Sequence, residues 1–370
     1  ATDYMHLFGW AISDEYGHRG AYNHYHQYGE QGQQRVQEAV RRCQAAGIPV
    51  GLYLDGYLVS RNSDQPDKER VSRWAVRKAD GEMLYHENYK AHSMCPYVED
   101  WRAHLAAAYR RVAEEIRPDG MYLDEFGKCM VSRTCYSREH GHPSPVGMCP
   151  GEWLLTRQIR EALPERIATY CEFVPADVAT QYLDGAYGHV ALQNHREGYG
   201  AVAPHFVNLH RFAIPDFKTF ELIYYTALRN GNWFLLKYPF FNGDGYYLTG
   251  AELDGYDEHS CAFLTRVFKI QHEHADAFRS TDVEPLVSTE LAGLYANRFS
   301  GGAKTVWTLW NSNYRTARGR LLAVPHAEGC QYFDAWNDRP VAARVEGSHA
   351  LLELELGPRS VGCVVQRRPQ

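Results

Sequence analysis

Three short segments of the sequence run into an acidic residue. They are 120–123 before Asp124 and Glu125, 167–171 before Glu172, and 182–183 before Asp184. The first two segments have the length and apolar character of a buried parallel strand, and the third is a shorter segment of the same kind. In parallel α/β folds, the carboxyl ends of the strands are where reactive side chains are placed. Paired carboxylates at such positions could act as nucleophile and as general acid/base on a glycosidic bond.

Asp124 and Glu172 are the predicted catalytic pair. Retaining glycosidases need two carboxyl groups about 5 Å apart, and neighbouring parallel strands lie about 4.8 Å apart. Side chains alternate along a strand, so Tyr122 and Asp124 share one face, while Leu123 and Glu125 share the other. We therefore expect Asp124, rather than its competitor Glu125, to face the site as the nucleophile. Glu172 would be the acid/base, with a pKa raised by the negative charge of Asp124.

Further side chains at predicted strand ends and loops are expected to contact the substrate. They are Trp10, Asp55, Tyr57, Glu125, His140, His142, Asp184, His210, Arg211 and Lys237. Trp10 would offer an aromatic face, and Asp55 would hydrogen-bond sugar hydroxyls. Asp184 would orient the substrate or serve as the proton donor. Lys237 lies in an apolar run, so its charge needs an acidic partner or a path to solvent.

Cysteine and histidine cluster in an irregular insertion at Cys129, Cys135, His140 and His142. The spacing C-x5-C-x4-H-x-H matches no familiar zinc signature. We therefore expect no metal and no cofactor, although a zinc site and a Cys129–Cys135 disulfide stay open. His24 and His26 could also hold a metal. A metal-dependent hydrolase using these two histidines or the insertion is one alternative function, and a non-catalytic carbohydrate-binding barrel is another.

The composition narrows the class of protein. The net charge of −6, with no run of Lys or Arg, argues against a nucleic-acid partner. Aromatic residues make up 13% of the 370 residues, which suits either sugar stacking or core packing. The sequence has no apolar run of about 18 residues, so we predict no membrane span. Nine unpatterned cysteines and no visible signal segment favour the cytoplasm. The oligomeric state is not predicted.

The positioning elements are strands that alternate with amphipathic helices. Seven strands are predicted, at 4–10, 48–54, 120–124, 167–172, 183–187, 205–212 and 233–238, with a helix at 217–229 among the intervening segments. This alternation predicts a (β/α)8 TIM barrel over residues 1–278. The eighth strand is expected upstream of Ala1, or else within 60–93, for example around 82–85. Period-two segments then predict an antiparallel β-sandwich over residues 279–370.

With the first strand upstream, Asp124 ends strand four and Glu172 ends strand five. This arrangement resembles retaining α-glycosidases of the α-amylase superfamily and the endo-α-N-acetylgalactosaminidase group. Residues 117–124 are also similar to the strand-four motif of α-L-fucosidases. The amylase His-Asp pair of strand seven is not reproduced, because His210 and Asp216 lie six residues apart.

The stretch 4–239 as a whole resembles uncharacterised, glycosidase-like bacterial barrels. The motifs that carry this resemblance are 7–10, 94–96, 135–136 and 140–143. The resemblance implies that Asp124 is the nucleophile and Glu172 the acid/base. It also implies that the substrate is an oligosaccharide or glycoside, α-linked and cleaved with retention.

Overall fold

The computed structural model describes residues 3–11, 32–60, 68–87, 89–127, 133–188, 207–223, 233–248 and 256–367. The chain divides into two compact units, Ala1–Tyr187 and Gly188–Gln370. Among the described residues, the helices are too short or too polar to cross a membrane.

The first unit alternates strands and helices. Its strands are β1 Met5–Leu7, β2 Val50–Asp55, β3 Leu58–Ser60, β4 Tyr85–His86, β5 Ala91–Ser93, β6 Gly120–Asp124, β7 Ala168–Cys171 and β8 Gly185–Gly188. Its α-helices are α1 Gly32–Ala45, α2 Lys68–Trp74, α3 Glu99–Ile116 and α4 Cys149–Ala162, and Asp177–Tyr182 forms a 3-10 helix. Strands β1, β2, β6, β7 and β8 pair side by side in that order, all parallel. The parallel strands predicted at 48–54, 120–124, 167–172 and 183–187 are thus present.

Helix α3 precedes β6, and the sequence determines where the helix ends and the strand begins. The helix buries Trp101, Leu105 and Tyr109, which recur at helical spacing. It ends at Arg117, which adopts the left-handed conformation, and the following Pro118 cannot continue a helix. Strand β6 then begins, and its first four residues are fully buried.

Aromatic rings fill one face of the parallel sheet. The ring of His6 lies 5.0 Å from that of Tyr122, 5.8 Å from Tyr170 and 5.4 Å from Tyr187. Tyr4 and Tyr170 share a hydrogen bond of 2.6 Å between their hydroxyl groups. These tyrosines therefore pack the face of the sheet rather than an open sugar site.

The second unit begins with a short α/β segment. It contains α5 Leu209–Ala213, β9 Lys218–Ile223, α6 Phe234–Asn242, β10 Gly245–Leu248, α7 Glu258–Glu273 and α8 Ala275–Arg279. Strands β9 and β10 are parallel to each other.

Antiparallel strands follow from Asp282 onward. They are β11 Asp282–Val287, β12 Leu294–Gly301, β13 Lys304–Asn311, β14 Ala317–Pro325, β15 Gln331–Asp334, β16 Arg339–Pro340, β17 Ala343–Glu346, β18 His349–Leu356 and β19 Val361–Arg367. One sheet has the order β11-β12-β13-β19-β15-β16, and another has the order β14-β18-β17. Leu309 and Val364 of the first sheet share an apolar cluster with Leu322 and Leu352 of the second.

Four predicted elements are wrong where they fall on described residues. The strand predicted at 233–238 falls on the helix α6, and the strand predicted at 205–212 overlaps the helix α5. The helix predicted at 217–229 contains the strand β9. The alternative barrel strand near 82–85 is also wrong, because β4 pairs antiparallel with β5 in a small separate sheet.

Two of these errors have a clear physical cause. Every residue of α6 except Lys237 is buried, and an apolar run of this kind has no periodicity that separates a helix from a strand. Helix α5 begins where the Asn208 side chain accepts a hydrogen bond from the backbone N–H of Arg211. Asn is a residue that favours the N-cap position, so this helix start is consistent with the local sequence.

Candidate active site

Three carboxylates meet at the carboxyl ends of β6 and β7. Asp124 is the last residue of β6, Glu125 follows it, and Glu172 comes directly after β7. One oxygen from each of the three lies within 4.8 Å of the others. The sequence therefore predicted correctly that Asp124 and Glu172 lie close together. Such a group of carboxylates can exchange protons, attack an electrophilic carbon, or hold a cation.

Asp124 is held by two tyrosine hydroxyl groups. The Tyr53 hydroxyl donates a short hydrogen bond to Oδ2 of Asp124, and the Tyr122 hydroxyl also bonds to this carboxylate. Tyr122 lies two residues before Asp124, so the two side chains share a face of β6, as expected. Burial raises the pKa of Asp124 to about 6, against the lowering effect of the Tyr53 hydrogen bond. The carboxyl group is therefore ionised at neutral pH and protonated in mild acid.

Glu125 does not follow the strand alternation that the sequence suggested. It has a φ of 58°, which is the left-handed conformation, so the strand ends before it and its carboxylate turns towards the other two acids. Arg133 holds both ends of this residue. One guanidinium nitrogen donates to the Glu125 carbonyl at 2.8 Å, and another pairs with the Glu125 carboxylate. The pair is buried, with 8% of Glu125 and 1% of Arg133 exposed.

Glu172 is positioned by the same turn. Its Oε2 accepts the backbone N–H of Glu125 at 2.9 Å, and its own backbone N–H donates to the carbonyl of Leu123 at 3.1 Å. The Glu172 side chain is half-buried.

Tyr89 belongs to the site but was not a sequence candidate. Its hydroxyl group bonds to the carboxylate of Glu125, and burial, followed by the negative charge of Glu125, raises its pKa. The residue is still 36% exposed, so the ring stays partly open to solvent. It lies in the turn between β4 and β5.

Asp55 and Tyr57 are beside the site but buried. Asp55 pairs with Asp124 across β2 and β6, and its Oδ1 accepts the backbone N–H groups of Tyr57 at 2.6 Å and Leu58 at 2.5 Å. Burial, then the negative charges of Asp124 and Glu125, raises the pKa of Asp55 well above its usual range. This carboxylate fixes the turn after β2, which corrects the expectation that it reaches sugar hydroxyls.

The Tyr57 ring is fully buried as well. It stacks on Phe126 at 5.4 Å between ring centroids, and the guanidinium of Arg133 lies 4.9 Å from the ring centroid. The predicted substrate contact by Tyr57 is therefore replaced by a packing role beneath the buried Arg133–Glu125 pair.

Trp10 and Asp184 also differ from expectation. Trp10 is 3% exposed, and its indole N–H donates to the Tyr53 carbonyl at 2.7 Å, so it supports Tyr53. Asp184 precedes β8, and its Oδ2 accepts the backbone N–H of Thr169 near the start of β7 at 2.7 Å. It also lies 3.8 Å from Arg160. Asp184 therefore lies at the amino ends of the parallel strands, whereas Asp124, Glu125 and Glu172 lie at the carboxyl ends, on the opposite side of the sheet's length.

His140 and His142 contact cysteines rather than the carboxylates. His140 Nδ1 lies 3.5 Å from Cys135 Sγ, and His142 Nε2 lies 3.6 Å from Cys95 Sγ. Cys135 is a free thiol, which rules out the Cys129–Cys135 disulfide, whereas Cys149 is disulfide-bonded. The predictions for Cys129, His24 and His26 lie outside the described residues.

The remaining candidates lie in the second unit and have partners there. Arg211 is 1% exposed and donates to the Phe278 carbonyl at 2.7 Å. Lys237 donates to the Arg359 carbonyl at 2.6 Å, so a backbone oxygen stands where an acid was one of the two expected possibilities. The His210 ring packs against Phe217 at 5.0 Å. None of the three ends a strand, because they lie in α5 and α6.

Comparison with known proteins shows what this chain resembles. A protein of Bacteroides thetaiotaomicron described as "Putative glycoside hydrolase" is 31% identical over 120 residues, which are 31% of this chain and 17% of that protein. The match thus covers less than a fifth of the length of the curated relative.

Solved structures resemble the whole chain. An α-amylase from Geobacillus thermoleovorans complexed with acarbose has a TM-score of 0.69 at 13% identity, over 100% of this chain and 89% of that one. The debranching enzyme of Nostoc punctiforme has a TM-score of 0.64 at 12% identity, over 98% of this chain and 85% of that one. These likenesses confirm the glycosidase-like fold that the sequence resemblance implied. Residues 4–219 match the family described as "Domain of unknown function (DUF6259)", and the chain belongs to that family.

Proposed function

We propose that this chain is a glycoside hydrolase that cleaves an α-linked glycoside or oligosaccharide with retention. The observation that carries the proposal is the short distance between Asp124 and Glu172, whose oxygens lie within 4.8 Å of each other. Retaining enzymes place their carboxyl groups about 5–5.5 Å apart, whereas inverting enzymes leave about 6.5–9.5 Å for a water molecule. The short distance therefore favours retention.

The relatives support the same class. The fold shared with α-amylases supports a (β/α)8 barrel over residues 1–278 followed by a β-sandwich over 279–370. The description of the Bacteroides protein supports glycoside hydrolysis over the matched segment. The α linkage rests on the resemblance to α-glycosidases with Asp on strand four and Glu on strand five.

The proposed reaction has two displacements. Asp124 attacks the anomeric carbon while Glu172 gives its proton to the leaving glycosidic oxygen, which produces a glycosyl ester on Asp124. Glu172 then removes a proton from water, the water attacks the anomeric carbon, and the ester bond to Asp124 breaks. The pKa of Asp124 near 6 leaves it ionised at neutral pH, as a nucleophile must be. Tyr53 and Tyr122 aim its carboxylate.

The test is a panel of aryl α- and β-glycosides assayed with the wild type, Asp124→Asn and Glu172→Gln. Both variants should lose more than about a hundredfold in kcat/KM, because each removes a nucleophile or an acid/base. Asp184→Asn is the matched control, since that acid lies at the amino ends of the strands and should leave kcat/KM unchanged. The anomer released first, read by NMR, reports retention or inversion.

Three outcomes would overturn parts of the proposal. Full activity of Asp124→Asn would move the nucleophile to Glu125. Inversion of the anomer would reject the covalent intermediate. If the protein binds oligosaccharides but cleaves none, the carbohydrate-binding alternative replaces the enzyme.

A further inference from the structure

We propose that Cys95, Cys135, His140 and His142 form a structural zinc site that fastens the insertion after β6 to the body of the first unit. One potential ligand atom from each of these residues lies within 4.8 Å of the other three. The proposal is independent of the glycosidase function, because none of the four side chains is part of the carboxylate group.

The distances match a tetrahedral zinc ion. Zinc binds sulfur at about 2.3 Å and imidazole nitrogen at about 2.1 Å, so tetrahedral angles place a sulfur and a nitrogen about 3.6 Å apart. Two of the four sulfur–nitrogen distances in the group are 3.6 Å, from Cys95 Sγ to His142 Nε2, and 3.5 Å, from Cys135 Sγ to His140 Nδ1, and the other pairs lie within 4.8 Å. A set of two sulfurs and two nitrogens with this geometry is typical of zinc among the biological metals.

The tautomer of His142 is suited to metal binding. Its Nδ1 lies 2.7 Å from the Pro143 carbonyl, which can only accept a hydrogen bond, so Nδ1 carries the proton. In the neutral ring, Nε2 then keeps its lone pair, and Nε2 is the atom that faces Cys95. Zinc-binding histidines commonly donate their second ring nitrogen to a backbone carbonyl in this way.

The site would be closed and therefore structural. Cys95, Cys135 and His140 are buried, and four protein ligands leave no open position for a substrate. Cys95 lies between β5 and α3, and its backbone N–H donates to the Trp74 carbonyl at 2.8 Å. The other three ligands come from the insertion, so the metal would join it to this scaffold.

The described part of the insertion, residues 133–148, has little regular structure. Cys135 and Val146 form an isolated antiparallel bridge with hydrogen bonds of 2.9 and 3.0 Å. Arg133, which holds Glu125 beside the catalytic candidates, lies two residues before Cys135. A metal at Cys135 would thus fix the segment that carries this arginine.

Metal analysis tests the proposal on the whole chain. The protein, purified under reducing conditions without chelator, should contain about one zinc per chain. Cys135→Ser and His142→Ala should lose that zinc, while Cys261→Ser, which removes an exposed cysteine outside the group, should keep it. A chain without bound zinc after dialysis against excess Zn²⁺, or a Cys95–Cys135 disulfide found by mass spectrometry of the reduced preparation, would overturn the proposal.

A second measurement does not depend on variants that fold. The wild type, stripped with a chelator and reloaded with Co²⁺, should show the absorption of tetrahedral cobalt with thiolate ligands. Hydrogen exchange of residues 133–148 should be slow in the Zn²⁺-loaded protein and faster after chelation. Octahedral cobalt absorption, or exchange that chelation leaves unchanged, would show that the four side chains only hydrogen-bond to one another.

Discussion

The backbone N–H of Glu125 donates a hydrogen bond of 2.9 Å to Oε2 of Glu172. The left-handed turn at Glu125 therefore joins the end of β6 to the end of β7, the two strands that carry the proposed nucleophile and acid/base. Arg133 stabilises this turn by a hydrogen bond to the Glu125 carbonyl and an ion pair with the Glu125 carboxylate. The position of Glu172 is consequently tied to Arg133 through the turn at Glu125.

Arg133→Gln should destabilise the protein strongly. It leaves the buried carboxylate of Glu125 without its cation, and breaking a buried ion pair in this way costs about 3–5 kcal/mol. The free energy of unfolding in urea measures the effect. The double variant Glu125→Gln/Arg133→Gln should lose less, because no charge is left buried alone. Arg138→Gln, at an exposed position of the same insertion, is the control, and an equal loss for it would contradict the prediction.

The pH profile should report the ionisation of Asp124. Only the ionised carboxylate attacks in the proposed mechanism, so kcat/KM should fall as the pH drops through about 6, the raised pKa of Asp124. Tyr53→Phe removes a hydrogen bond that lowers this pKa, and the acid limb should therefore move to higher pH.

Tyr4→Phe is the matched control for this shift, because the Tyr4 hydroxyl bonds to Tyr170. Its acid limb should stay where the wild type has it. A limb that stays fixed in Tyr53→Phe, or that moves equally in both variants, would show that Asp124 does not set it. Activity lost as the pH rises through 6 would make Asp124 the acid.

Local sequence predicted the strands better than the roles of the residues that end them. The tripeptide Tyr-Leu-Asp occurs at 53–55, 122–124 and 182–184. Asp124 meets the other acids, Asp55 folds back on the turn after β2, and Asp184 precedes its strand and bonds to Thr169. Asp55 and Asp124 both end their strands and are paired with each other, so they differ only in the backbone that follows: Asp55 accepts the N–H groups of the turn after β2, whereas Asp124 precedes the left-handed turn at Glu125. Asp184 differs because strand pairing begins only after it, and that pairing is non-local.

The site contained two further features that spacing could not show. The strand alternation placed Glu125 on the outer face, but the left-handed turn at this residue ended the alternation one position early. Cys95 lies far upstream of Cys135, so only the folded chain brings it to the histidines. Buried parallel strands, in contrast, are short apolar runs that can be recognised from neighbouring residues alone. For this reason β2, β6 and β7 were predictable.

Tyr89 should contribute to substrate binding. Its ring is partly exposed beside Glu125, so Tyr89→Ala should raise KM about fivefold, which corresponds to about 1 kcal/mol for an aromatic contact. The value of kcat should change little if the contact is equal in the ground and transition states. Tyr89→Phe keeps the ring and separates stacking from the hydrogen bond to Glu125. Tyr314→Ala, at a 76% exposed tyrosine, is the control. An unchanged KM in Tyr89→Ala would remove this residue from the site.

Gly51→Ala should destabilise the first unit. A Cβ atom at position 51 would lie 1.8 Å from the hydroxyl oxygen of Tyr4 and 1.9 Å from that of Tyr170. Rigid β2 cannot move away from this tyrosine pair without disturbing the sheet, and overpacking of this kind costs about 1–3 kcal/mol or more. Thermal unfolding should show a lower midpoint for Gly51→Ala.

Gly9→Ala is the matched control, because no atom of the described residues lies within 4 Å of a Cβ atom there. Its midpoint should stay near that of the wild type. Placing Gly51→Ala in a Tyr4→Phe/Tyr170→Phe background removes both hydroxyl groups and should reduce its cost. If Gly51→Ala melts like Gly9→Ala, the tyrosines do not fill the space beside β2. The hydroxyl groups of Tyr4 and Tyr170 would then not pack against β2, the strand that carries Tyr53.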